Sequence, residues 1–169
     1  VKDKSLSRGL YRGDKIQLQY KLLKSPGRPA HLIVDPKATP GIKVLDKMVD
    51  QNGKVLTLEG TLLYFPKSPQ IRFGIFALQV VDARGLKRNY TLVNFDDIDL
   101  FQDILKKLET EWKKYDKYAQ DARNCYVIPK LRVRAKGTGN VVSPNQANPQ
   151  ILLDSLESVE IIETPSSLP

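Results

Sequence analysis

The chain has 169 residues, 41% hydrophobic and 27% charged, values of a globular protein rather than a disordered or membrane-embedded one. No apolar run approaches the roughly 20 residues that cross a bilayer as a helix, so no transmembrane segment is expected in this chain. The net charge of +8 favours an anionic partner and is unevenly spread: eleven cations stand against five acids over residues 1–50, and five against none over 122–140. Residues 96–121 and 141–169 are acidic instead.

Residues 1–13 are polar and aperiodic and read as a flexible lead-in. They open on Val1 rather than Met, so a removed or omitted upstream segment is expected, and a signal or lipid anchor could have gone with it. Residues 1–50 read as an N-terminal β extension with two or three short strands: Ile16–Tyr20, His31–Asp35 and Ile42–Val49. The turn-forming runs SPGRP and TPG punctuate them. Asn52-Gly53 predicts a type I′ hairpin turn, because both residues tolerate positive φ.

Val55–Phe65, reading VLTLEGTLLYF, is a long strand interrupted by Gly60. After a Pro66–Pro69 loop come the strands Ile71–Asp82, with Gly74 inside, and Leu86–Phe95, joined by a turn at Ala83–Gly85. Together the three form an antiparallel meander, and a glycine within a strand often marks a bulge or a sharp coil.

One helix is predicted, from Asp96 to about Ala122. Its apolar stripe is Ile98, Phe101, Leu105, Leu108, Trp112, Tyr115 and Ala119, at spacings of three and four. Pro129 then opens a strand in which Lys130, Arg132, Arg134 and Lys136 alternate with Leu131, Val133 and Ala135. The alternation predicts that the apolar three are buried and the four cations lie outside. A polar loop from Gly137 to Gln150 leads to a last strand, Ile151–Ile162, and residues 164–169 read as a disordered tail.

Three meander strands, a helix and two further strands, with VLTLEGTLLYF first and LRVRAKGTGN followed by PQILLDSLESVEII last, resemble the OB-fold superfamily. The closing pair is similar to that of anticodon-binding-type OB domains. The resemblance covers about residues 53–163. It implies a mainly β domain over 51–163, a five-stranded Greek-key barrel with one long helix between strands three and four. Residues 1–50 lie outside it. At some 25 residues, the helix is longer than the usual barrel plug and is expected to project beyond it.

No catalytic constellation accompanies this organisation. His31 has no companion nucleophile, Cys125 has no Cys or His at metal-ligand spacing, and no phosphate-binding glycine loop occurs. Asp96, Asp97 and Asp99 are explained by the dipole at a helix N-terminus without a metal. The expectation is a protein that is not an enzyme and uses neither metal nor cofactor.

The resemblance implies binding instead, through strands two and three and their neighbouring loops. The residues placed to track a single-stranded DNA or RNA are Tyr64, Lys67, Arg72, Phe73, Arg88, Tyr90, Arg132, Arg134 and Lys136. Each aromatic has core packing as its alternative role, and each cation the protection of a strand edge. The rival expectation is an OB-fold protein-interaction module of a larger, exported or lipid-anchored assembly. It would dock through the 96–122 helix with Trp112, Tyr115 and Tyr118. Oligosaccharide binding is a third. One cysteine leaves both a cytoplasmic and a periplasmic location open.

Overall fold

The computed structural model describes residues 9–24, 26–27, 31–34, 41–69, 73–122 and 124–165. The fold is mainly β, with one α-helix among the described residues. The N-terminal strands are β1 (Lys15–Leu18), β2 (Tyr20–Leu23), β3 (His31–Val34) and β4 (Ile42–Asp46). The main sheet is built from β5 (Val55–Phe65), β6 (Ile75–Val81), β7 (Lys87–Val93), β8 (Gln120–Asp121), β9 (Tyr126–Asn140), β10 (Gln150–Leu152) and β11 (Val159–Glu163). Helix α1 (Ile98–Lys113) lies between β7 and β8.

β5, β6 and β7 form the expected antiparallel meander. β10 pairs in parallel with β7 and antiparallel with β9, and β9 pairs antiparallel with β5. The pairings β5-β6-β7-β10-β9 therefore return to β5. Such a path forces strands to cross closely, and its glycines mark where. A Cβ on Gly60 would lie 2.2 Å from the Gln79 carbonyl oxygen, and one on Gly137 would lie 2.2 Å from that of Leu152.

The core is one large cluster in which Leu62, Phe76, Leu78, Leu92, Leu131, Val133 and Ile151 are buried, with a small second cluster of Leu63, Ala77 and Cys125. α1 covers one end through Phe101, Ile104, Leu108 and Trp112. Its first turn is held by Asp97, whose carboxylate accepts the Leu100 N–H at 2.9 Å. At the other end a 3₁₀ turn, Met48–Gln51, sends the fully buried Met48 into the same cluster. The Met48 N–H donates to Asp14 at 2.7 Å, and the Tyr90 hydroxyl bonds Gln51 at 3.1 Å.

Several expectations are corrected. α1 is 16 residues long rather than some 25 and does not overhang: after Lys113 the chain turns back, and Tyr115, Tyr118 and Ala119 pack on the core. Ile98 is exposed and Ile104 takes the buried position. Asn52-Gly53 makes a type II-like turn, with Asn52 at φ −62°, ψ 129° and Gly53 at φ 72°, and it joins the 3₁₀ turn to β5 rather than closing a hairpin. Gly137 is buried inside β9, which runs on to Asn140. The last strand is split: β10 pairs with β7 and β9, a 3₁₀ turn at Leu156–Ser158 redirects the chain, and β11 pairs with β9. The Ser158 hydroxyl fixes that break by donating to Asp154 at 2.7 Å.

The N-terminal strands form two short two-stranded sheets, β1 with β4 and β2 with β3, consecutive along Lys15–Leu23 and together called the ribbon. Register places Ile16, Leu18, Tyr20 and Leu22 on one face with Val44, Ile42 and Val34 opposite. Its base is tied to the sheet by Lys15–Asp82 at 2.6 Å and Arg88–Asp46 at 2.9 Å.

Candidate binding surfaces

The sequence-predicted residues fall in three separate places. Tyr64 is half-buried on β5, its ring 5.0 Å from Phe76 and 5.6 Å from Trp112, so it seats the helix. Burial, with the nearby Glu109 carboxylate, raises its hydroxyl above the ordinary tyrosine value. Lys67 is exposed in the loop beyond β5. Phe73 is 52% exposed, with its ring edge-on to Phe101 at 6.2 Å. Arg72 lies outside the described residues.

On β7 Arg88 and Tyr90 carry the inward parity. Tyr90 is 2% exposed and sits in the core, closed off from any stacking base. Arg88 is committed to Asp46. The outward residues of this strand are Lys87, Asn89 and Thr91, opposite Val81, Gln79 and Ala77. The alternation of Tyr90 with Leu92 was the available signal for this parity, and the neighbouring Arg88 obscured it.

β9 follows its expected alternation. Leu131, Val133 and Ala135 are fully buried, while Lys130, Arg132 and Lys136 are exposed and Arg134 is partly so. The two arginines are nevertheless laced to acids on both flanking strands. Arg134 donates from Nε to Glu59 on β5 at 2.9 Å and from a terminal nitrogen to Glu160 on β11 at 2.7 Å. Arg132 approaches Glu163 at 3.6 Å and Glu59 at 3.9 Å. Bonds to Glu59 and Glu160 raise the Arg134 guanidinium further above its already high value. Two arginines of this face thus stand against three acids, while Lys130 and Lys136 have no ion pair among the described residues.

A different cationic surface forms at the end of the sheet opposite α1. There a cleft of about 220 Å³ is lined by Arg12, Gly13, Gln79, Lys87, Arg88, Asn89, Asn148 and Pro149. The Gln79 amide donates to Asn89 at 3.2 Å, and Arg12 donates to the Ala147 carbonyl at 2.6 Å. Lys87 has no ion pair among the described residues. Such a lining offers N–H donors and positive charge to an anion. A second cleft of about 400 Å³ lies between Tyr118, Pro129 and Pro165, with Lys117 4.9 Å above the Tyr118 ring.

Among the described residues no cluster of three or more His, Cys, Asp and Glu could hold a metal ion. The Cys125 thiol is buried, and burial raises its pKa. No helix among the described residues is long and apolar enough to cross a membrane. No protein-family model, curated protein or solved structure matches the chain.

Proposed function

We propose that the chain is a non-catalytic OB-fold binding domain that captures a polyanion, single-stranded DNA or RNA in the first instance, at the end opposite α1. The observation that carries this reading is the placement of Arg12 and Lys87 at an amide-lined cleft, beside an Arg88 held by Asp46. The strand order supports the OB assignment: a three-strand meander, then a helix, then the long β9 and β10, with β5 pairing both β6 and β9 and β10 parallel to β7, while the short β8 and β11 are additions to it. Because no aromatic ring lines the cleft, phosphate contacts dominate over base stacking. Binding is then tolerant of sequence and falls steeply as salt rises.

Fluorescence anisotropy with a single-stranded oligonucleotide of about 25 nucleotides at low salt tests this, a length that exceeds the site size of one OB domain. Arg12→Glu with Lys87→Glu should weaken binding by roughly tenfold or more. Arg132→Gln with Arg134→Gln should change it far less. Absence of salt-sensitive binding by the wild type overturns the reading. A protein-docking role is the second reading, favoured by the exposed apolar residues of the N-terminal ribbon.

A further inference from the structure

The N-terminal strands present a second surface, separate from the Arg12 and Lys87 cleft. Ile16, Tyr20 and Leu22 are 38%, 54% and 47% exposed on its apolar face. Among the described residues no strand pairs with the outer edge of Lys15–Leu23. A two-stranded ribbon with an uncovered apolar face is marginal in water and gains stability from a third strand.

Charge and size select what supplies that strand. From Lys15 to Lys24 the chain has three lysines and no acid. Lys15 is held by Asp82, so Lys21 and Lys24 remain to meet a partner's charges, and acids on the incoming strand suit them better than the lysines of a second copy. Face-to-face packing of two copies covers too little: a strand of this length spans roughly 30 Å and a two-stranded face is about 10 Å wide, so each copy offers about 300 Å² where a stable interface buries about 800 Å² per partner. A bilayer leaves the backbone groups of the open edge without partners. The same chain displays the solution on its own sheet. β11 alternates Val159 and Ile161 with Glu160, and it adds to the cationic strand β9 with Glu160 on Arg134 and Glu163 near Arg132.

We infer that the Lys15–Leu23 edge accepts an extended segment of a partner protein in which apolar residues alternate with acidic ones. The partner's backbone continues the ribbon, its apolar residues enlarge the Ile16–Leu22 face, and its carboxylates lie beside Lys21 on the opposite face.

Backbone hydrogen exchange of the whole chain tests this with two synthetic probes, a twelve-residue peptide of alternating Val and Glu and its Val and Lys counterpart. The acidic peptide should slow exchange across residues 15–23 by roughly tenfold or more, and the basic one should not. Lys21→Glu with Lys24→Glu, both exposed, should reverse the preference while exchange of the β5–β9 core stays unchanged. Four results overturn the inference: no protection at millimolar acidic peptide, equal protection by both peptides, or protection of this edge by self-association in sedimentation or by phosphatidylglycerol vesicles. Oligonucleotide binding by the Arg12 and Lys87 cleft is measured separately and bears on neither outcome.

Discussion

Glu59 and Arg134 face each other in register across β5 and β9, with carboxylate and guanidinium 2.8 Å apart. Glu160 meets the same guanidinium from β11. A strand that is strongly basic in sequence is therefore close to neutral as a surface, because both neighbours supply acids in register. These side chains are 42–61% exposed, so the ladder fixes register and cancels charge more than it stabilises the fold.

Replacing both acids, Glu59→Gln with Glu160→Gln, uncovers the β9 arginines. Melting should change little, since exposed ion pairs contribute little to stability. Oligonucleotide affinity at low salt should rise only about two- to fivefold through the general field, because the cleft remains unchanged. A gain of a hundredfold, measured by anisotropy, would move the polyanion site to β9.

The crossings at Gly60 and Gly137 leave no room for a side chain. Gly60→Ala and Gly137→Ala push a methyl against a backbone carbonyl that the sheet cannot move, and each should destabilise by about 3 kcal/mol. Urea unfolding midpoints measure this. Gly85→Ala, with open space around the Cβ and φ 79°, carries only the positive-φ cost of about 1 kcal/mol and serves as the control.

Met48 closes the end of the core opposite α1 and is fully buried. Met48→Ala leaves a cavity there and should cost about 3 kcal/mol. The same variant should speed amide exchange in the 48–54 turn, because the side chain anchors it to the core. Unchanged exchange in that turn would place its anchor in the Asp14 and Gln51 hydrogen bonds instead.

The meander, the helix register and the β9 alternation were legible because each writes a period into the sequence: two for the strands, three and four for α1. Three features left no such trace. The break in the last strand comes from Ser158 bonding Asp154, while the run ILLDSLESVEII reads as continuous. The helix stops at Lys113 although Tyr115 and Ala119 extend its apolar stripe, because those side chains reach the core from a non-helical return. The cleft was hardest, since Lys87 and Arg12 come together only where β7, the lead-in and the 141–149 loop converge.

Asp82 ties the ribbon to the loop between β6 and β7. The Lys15 ammonium, aided by the backbone N–H groups of Leu86 and Arg84, lowers its carboxyl to about 2. A depressed carboxylate contributes stability that is complete above its unfolded value near 4 and is lost as pH falls through about 2. Carboxyl chemical shifts should therefore show Asp82 titrating at about 2, below the ordinary aspartate value. Asp82→Asn should remove its part of the acid-induced loss between about pH 4 and 2 and free the ribbon base at neutral pH.

Lys130 has φ 66°, a conformation that suits glycine. The cause lies in the pairing of β9 with β5. Thr61 pairs with Arg132 and Leu63 with Val127, so β9 advances five residues while β5 advances two, and the surplus forms a bulge. Pro129 sits within that bulge, where its missing N–H leaves no rung of the ladder unmade. Lys130→Gly should relieve the backbone and raise the unfolding free energy by about 1 kcal/mol. Lys130→Ala removes the same charge without relieving the backbone, so it should leave stability nearly unchanged. If the two variants melt together, the charge rather than the backbone governs this position.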